Sequence, residues 1–382
     1  MKMTMKKMVS SILLVMMVAV CFTGCGSKSG GDAGYTAKNT EFVIGATGPL
    51  TGDASSYGIS VQKGAQLAIE QINADGGLNG IKFKLDMKDD KATAADAAIG
   101  YDTLYESGMQ VSLGSVTSAS CDSFASKAVE DNVFVMTPSA SAANVIENRD
   151  NAFRICFGDP DQGTLAAEEL TKNYKKIGAI YDTSDAYSAG IYKAFKDEMK
   201  KLKVDFDTQT FDAENKKDFS TQVEALKDCD VIFLPIYYTE AGFIAKTAAA
   251  KDCKAVLFGC DGLDGIADQL DSSVKSDIKY ITPFDVNSED EVTSKFVSDY
   301  KAKYNEAPDQ FAADGYDAVM TIFEAMKKAD VKDVTISATK LCDILKDTLT
   351  GSDFKFKGAT GEMTWDKSGA CAKEPQIVEL NK

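Results

Sequence analysis

From residue 41 onward the chain alternates two hydrophobic rhythms. Phe42-Val43-Ile44-Gly45 is a short apolar run that stops at the turn Gly48-Pro49-Leu50-Thr51-Gly52. Val61, Gly64, Ala65, Ala68, Ile69 and Ile72 then recur at helical spacing until Asp75-Gly76-Gly77, which predicts a helix ended by glycine. Ile81, Phe83, Leu85 and Met87 alternate as a strand does. The same reading gives a helix over 92–107, a strand at 111–113, a helix from Ser118 and a strand over 133–136. A second series begins near Pro160. It predicts helices over 161–174, 188–202, 218–228 and 240–250, with strands at 177–181, 204–208, 231–234 and 255–258 and one ending at Ile281-Thr282.

Strand, helix, strand at this spacing means a parallel sheet with right-handed crossovers. The fold class is therefore α/β, as two doubly wound parallel-sheet lobes. The last hundred residues read as helices over 289–304, 310–328 and 335–349, followed by a hairpin around 359–366 that holds the sole tryptophan, Trp365. These late helices have no sheet of their own and are assigned to the first lobe. The chain then crosses between lobes near 156–160, near 283–285 and after Trp365. Lobe 1 comprises 41–158 plus 285–366, and lobe 2 comprises 159–284 plus 367–382.

Composition narrows the function. The chain has 382 residues, 44% of them apolar, enough for two cores. Its net charge of −16 argues against a nucleic-acid or anionic-membrane face, both of which demand basic residues. Arginine occurs only as Arg149 and Arg154, and histidine is absent. Imidazole-based triads, His-ligated metals and imidazole acid/base work are thereby excluded. No phosphate loop or dinucleotide fingerprint is present. The adjacent pair Asp89-Asp90 points to opposite faces of a strand, so it reads as structural or solvated. No enzyme, metal or cofactor is implied.

The start of the chain reads as an address. Lys2, Lys6 and Lys7 precede an apolar run from Met8 to Phe22 that ends in Thr23-Gly24-Cys25, the form of a secretory signal over residues 1–24. The run is shorter than the ~20 apolar residues of a membrane span. Phe22-Thr23-Gly24-Cys25 resembles a bacterial lipoprotein signal, in which Cys25 becomes the lipidated first residue; Cys21, preceded by bulky Val20, fits less well. Residues 25–40, opening Gly26-Ser27-Lys28-Ser29-Gly30-Gly31-Asp32, read as a flexible tether. Residues 1–24 hold three lysines and no acid, so the remainder would carry −19. Seven further cysteines, an odd number, do not form a complete disulfide framework. Cys229 with Cys253, or Cys342 with Cys371, could bridge, but free buried thiols are the preferred reading.

Several motifs occur in order: Ile44-Gly45-Ala46-Thr47-Gly48-Pro49-Leu50-Thr51-Gly52 with Tyr57-Gly58, Gly64-Ala65-Gln66-Leu67-Ala68, Ile72-Asn73-Ala74-Asp75-Gly76-Gly77, Met136-Thr137-Pro138-Ser139-Ala140, Asp161-Gln162-Gly163, Gly259-Cys260-Asp261-Gly262 and Gly315-Tyr316-Asp317-Ala318-Val319. As an ordered set from residue 41 to the end, the chain resembles the substrate-binding proteins of amino-acid ABC importers. The leucine/isoleucine/valine-binding type, with the type I periplasmic-binding fold, is the nearest kind. The resemblance implies a three-crossing hinge and a ligand cleft between the lobes.

A free amino acid is a zwitterion, so a closed site must replace the hydration of both its charges. Helix N-termini suit carboxylates, because their N–H groups are unpaired and the helix dipole is favourable. Gly114-Ser115-Val116-Thr117-Ser118 offers such a start, and Thr137-Pro138-Ser139-Ala140-Ser141 repeats it one β–α unit later. Each alone reads as an ordinary cap. The resemblance places Ser118, Ser139, Ala140 and Ser141 where the family holds the carboxylate and part of the amine. It places Asp261 where the family has its amine-binding acid, usually glutamate; aspartate is one methylene shorter, so the amine sits deeper or a water bridges. Tyr57, Tyr187 and Tyr237 match cleft aromatics, the latter two as a lid from the second lobe. Asp161-Gln162-Gly163 reads as a helix cap that braces the hinge.

The implied function is a monomeric, exported lipoprotein, held on the outer face of the cytoplasmic membrane or facing the periplasm. It would capture a small amino acid of the branched-chain or a related type and deliver it to the permease and ATPase of an ABC importer. The alternatives are a sensor of the same fold serving a signalling receptor, or a binder of a short peptide, amide or urea-like solute.

Overall fold

The computed structural model describes residues 39–380; the signal segment, Cys21, the Cys25 anchor and nearly all of the tether lie outside the described residues. Strand β1 (Phe42–Gly48) is buried at every position, as a parallel strand covered on both faces must be. Phe42 and Ile44 are fully buried, each contributing about 1.5–3 kcal/mol. Parallel pairing places β1 between β2 (Phe83–Asp89) and β3 (Val111–Ser112), and β4 (Val135–Thr137) and β5 (Ala152–Arg154) complete a five-stranded sheet ordered β2-β1-β3-β4-β5. Helices α1 (Ser55–Ala74), α2 (Ala94–Glu106) and α3 (Ser118–Asp131) connect its successive strands.

A six-stranded sheet, ordered β14-β10-β9-β8-β6-β7, follows. Its members are β6 (Ile177–Asp182), β7 (Asp207–Phe211), β8 (Val231–Leu234), β9 (Val256–Gly259), β10 (Ile278–Thr282) and β14 (Gln376–Glu379). Only β14 runs antiparallel. The helices here are α4 (Asp159–Asn173), α5 (Ala186–Leu202), α6 (Ser220–Leu226) and α7 (Tyr238–Ala250). The late helices α8 (Glu291–Tyr304), α9 (Gln310–Lys328) and α10 (Ala338–Leu349) precede a small sheet of β11 (Phe356–Gly358), β12 (Gly361–Trp365) and β13 (Cys371–Ala372). Ala318, Val319 and Ile322 of α9 and Leu341 and Leu345 of α10 share one core with Phe42 and Ile44. Downstream helices therefore cover the upstream sheet. The chain passes between the two halves after β5, after β10 and between β13 and β14; β13 still pairs with Trp365 of β12, which keeps residues up to Ala372 with the first half.

Two contacts bind distant segments. Helices α1 and α9 touch backbone to backbone: a Cβ on Gly64 would overlap the Ala312 carbonyl, and one on Gly315 would press on Val61. Trp365 Nε1 donates to the Arg154 carbonyl at 2.7 Å. The Arg154 guanidinium in turn donates to the carbonyls of Ser141 and Ala142.

The structure departs from the periodicity reading at four strands. The strand expected at 204–208 lies at Asp207–Phe211. Val204 instead closes the end of α5, where Lys203 is left-handed (φ 59°) and the Val204 N–H donates to Met199 O; its side chain packs into the second core. The short β5 and β13 and the edge strand β14 lie outside that reading, and the pairing of β13 with β12 moves the third crossing from residue 367 to beyond Ala372. All seven cysteines among the described residues are free.

Candidate ligand-binding site

The site gathers at the carboxyl ends of parallel strands, the place where open α/β sheets hold ligands. After β3, Gly114 turns with φ 61°, and a Cβ there would press on Val135 and Cys121. That turn delivers Val116, Thr117 and the start of α3. Thr117 occupies the N-cap but makes no side-chain cap bond; its hydroxyl donates to Ser120 Oγ at 3.1 Å instead. The first-turn N–H groups of α3 thus have no capping side chain at the positive end of the helix dipole. Ser118 Oγ accepts from the Ala142 N–H at 3.2 Å, and Ser139 Oγ donates to Val116 O at 2.8 Å.

The facing wall comes from the second sheet. Tyr187, in the first turn of α5, donates to Asp261 Oδ1 at 2.7 Å and accepts from the Gly262 N–H at 2.9 Å. Its ring stacks on Tyr237, the N-cap of α7, with centroids 5.0 Å apart. Asp261 follows β9 and is only 4% exposed. Its N–H donates to Gln162 Oε1 at 3.1 Å and its carbonyl accepts from Gln310 Nε2 at 2.8 Å. Burial pushes the Asp261 carboxyl up to about 6, against the opposing pull of the Tyr187 hydroxyl and the Gln162 side chain. Burial also raises the hydroxyls of Tyr57, Tyr187 and Tyr237 well above their ordinary range, so each stays a neutral donor.

Tyr57 of α1 joins the halves. Its hydroxyl donates to Gly262 O at 2.5 Å and accepts from the Tyr238 N–H at 3.1 Å. Its ring lies 4.2 Å from Phe311 and 4.8 Å from Tyr238, centroid to centroid. Tyr57, Val116, Thr117, Ser118, Ser139, Tyr187, Tyr237, Asp261, Gly262 and Phe311 line one cavity of about 250 Å³. Hydrogen-bond donors at a helix start on one wall and a buried acid on the other complement a small zwitterion. Among the described residues no group of three or more His, Cys, Asp or Glu could hold a metal ion.

The periplasmic binding protein family model matches residues 41–377. The chain belongs to the periplasmic binding protein family. Among relatives of this binding protein, the Leu/Ile/Val-binding protein BraC3 of Rhizobium johnstonii is 28% identical over 334 residues, covering 85% of this chain and 90% of that one. Among solved structures, the branched-chain amino acid substrate-binding protein LivJ of Streptococcus pneumoniae, in complex with isoleucine, is 29% identical with a TM-score of 0.76, covering 89% of this chain and 100% of that one. The leucine-binding protein LivK of Thermotoga maritima is 26% identical with a TM-score of 0.79, covering 88% and 94%. The fold is that of the type I periplasmic binding proteins.

Of the eight residues singled out from the sequence of this binding protein, Tyr57, Ser118, Ser139, Tyr187, Tyr237 and Asp261 line one cavity. Ala140 and Ser141 do not line it. The Ala140 N–H is taken by Thr137 Oγ1 at 3.0 Å, while the buried Ser141 hydroxyl has no partner. Sequence reasoning missed Phe311, whose place in an apolar helical stripe reads as core, and Val116, Thr117 and Gly262. Asp161 caps α4 by accepting from the Gly158 N–H at 3.1 Å. Asp89 accepts from the Leu50 N–H at 2.9 Å and Thr51 Oγ1 at 2.6 Å, and Asp90 accepts from the Ala92 N–H at 2.9 Å and from the Ser115 hydroxyl. Both acids organise loops.

Proposed function

We propose that this periplasmic binding protein captures a free α-amino acid of the branched-chain or a related type between its two lobes and delivers it to an ABC importer. The observation that carries this reading is Asp261, a buried carboxylate facing the uncapped start of α3 across one small cavity. The ligand carboxylate would take the N–H groups of α3 and the hydroxyl of Ser118, while Ser139 Oγ, whose proton goes to Val116 O, would offer the ammonium an acceptor. Its ammonium would take Asp261, and Tyr187 and Tyr237 would cover it from the second lobe. The relatives, named for binding leucine, isoleucine or valine, support the same ligand class. Binding to both walls would favour the closed arrangement of the lobes over an open one. The signal-like segment supports export, and Cys25 would carry the lipid that holds the protein, as a monomer, at the membrane surface.

Titration calorimetry with a panel of free amino acids tests the reading. Saturable heat with at least one aliphatic member is expected, and no heat across the panel overturns amino-acid capture.

A further inference from the structure

Behind the two lid tyrosines lies a group of buried charges that the site as described leaves unused. Asp182 ends β6 and Glu240 falls in the first turn of α7, and they are only 3% and 7% exposed. Lys216, on the 212–219 loop between β7 and α6, reaches both acids. Its Nζ lies 2.9 Å from Asp182 Oδ2 and 3.7 Å from Glu240 Oε1. The three side chains face a second cavity, of about 180 Å³, and Tyr237 is a wall of both this cavity and the ligand cavity.

The anchoring runs to both rings of the lid. Glu240 stands three residues beyond Tyr237, the N-cap of α7. The Asp182 N–H donates to Ser188 Oγ at 2.8 Å, and the Ser188 N–H donates to Asp185, the N-cap of α5, at 2.9 Å; Tyr187 lies between these two residues. Lys216 thus holds the starts of the two helices that stack Tyr187 on Tyr237. It is the sole cation lining the second cavity, beside the three acids Asp182, Asp185 and Glu240. Burial pulls its ammonium down, but the Asp182 hydrogen bond and the charges of Glu240, Asp182 and Asp185 outweigh that and raise it, so it stays charged. Burial raises the carboxyls of Asp185 and Glu240, and the Lys216 charge opposes this at both. Without that charge, buried carboxylates at the starts of α5 and α7 would repel one another.

We propose that Lys216 is a positioning residue for the lid: by clamping Asp182 to Glu240 it sets the spacing at which Tyr187 and Tyr237 close over the ligand, a role that rests on the amino-acid reading and deepens it. Its loss acts on how long the ligand stays, through Tyr237, and not on folding alone.

The test follows the escape of radiolabelled leucine, isoleucine and valine from the full chain on dilution into unlabelled ligand, alongside the melting temperature. Lys216→Met keeps the aliphatic stem and removes the charge. It should speed dissociation roughly tenfold, and Lys216→Arg should return the rate to within about twofold of wild type. In a Tyr237→Leu background, Lys216→Met should change the rate by less than about twofold. Glu240→Gln, which opens the clamp while Asp182 stays bridged, should speed dissociation by a smaller factor, and a wild-type rate in this variant overturns the proposal even if Lys216→Met does not fold. If Lys216→Met leaves dissociation unchanged, whatever its melting temperature, Lys216 only braces its loop and the proposal is overturned. Equal effects with and without the Tyr237 ring overturn it too, because Lys216 then does not act through the lid. A wild type that binds none of the three ligands overturns the proposal, and silence across all free amino acids overturns the underlying reading as well.

Discussion

Asp261 sets the chemistry of the site at the scale of a single side chain. Its carboxyl stands near 6 because it is buried, and a ligand ammonium would stabilise the charged form and lower it. Binding therefore releases a proton once the pH drops below about 6, and affinity should be level above that pH and decline beneath it. Calorimetry between pH 5 and 8 is the check; Asp261→Asn should bind roughly 10- to 100-fold more weakly and lose this slope. The residues also show what a sequence can disclose. Ser118, Ser139 and Asp261 each follow an apolar strand at a β–α junction, so position and chemistry coincide. Phe311 is hidden, because its place in an apolar helical stripe reads as core. Ser141 likewise sits beyond the cavity wall that its hydroxyl-rich neighbourhood suggested.

At the scale of elements, the strongest constraint is the crossing of α1 and α9. Gly64 leaves no room for even a methyl group against the Ala312 carbonyl, so Gly64→Ala must push two helices apart. A loss of about 1–3 kcal/mol is expected, read as an earlier urea midpoint with an unchanged slope. Long buried strands and amphipathic helices such as β1 and α1 were legible because their periodicity is sustained over many residues. Two short elements, one late in each half, were not. The three residues of β5 carry no period, and β14 is a largely exposed edge whose pairing depends on β10, nearly a hundred residues earlier. At β7 the apolar Val204 drew the strand forward, although its role is to close the preceding helix.

Across the whole molecule, Tyr57 is the bond between halves that is simplest to remove. Its hydroxyl reaches Gly262 and Tyr238 on the far wall, while its ring stays packed on Phe311. Tyr57→Phe keeps the packing and deletes the two hydrogen bonds, worth together about 1–3 kcal/mol. Small-angle scattering should show a larger radius of gyration for the ligand-free variant than for the ligand-free wild type, with saturating ligand bringing the two together; identical radii without ligand would show that closure does not depend on this contact.

The chain from Trp365 through Arg154 to Ser141 gives this protein an optical reporter of its own. The indole is the sole one in the sequence, and its N–H is anchored to the residue whose guanidinium holds the serine loop behind the site. Under excitation that spares the 14 tyrosines, ultraviolet emission thus originates at one address, so a shift in its intensity or wavelength on titration reports on that neighbourhood without attaching any dye.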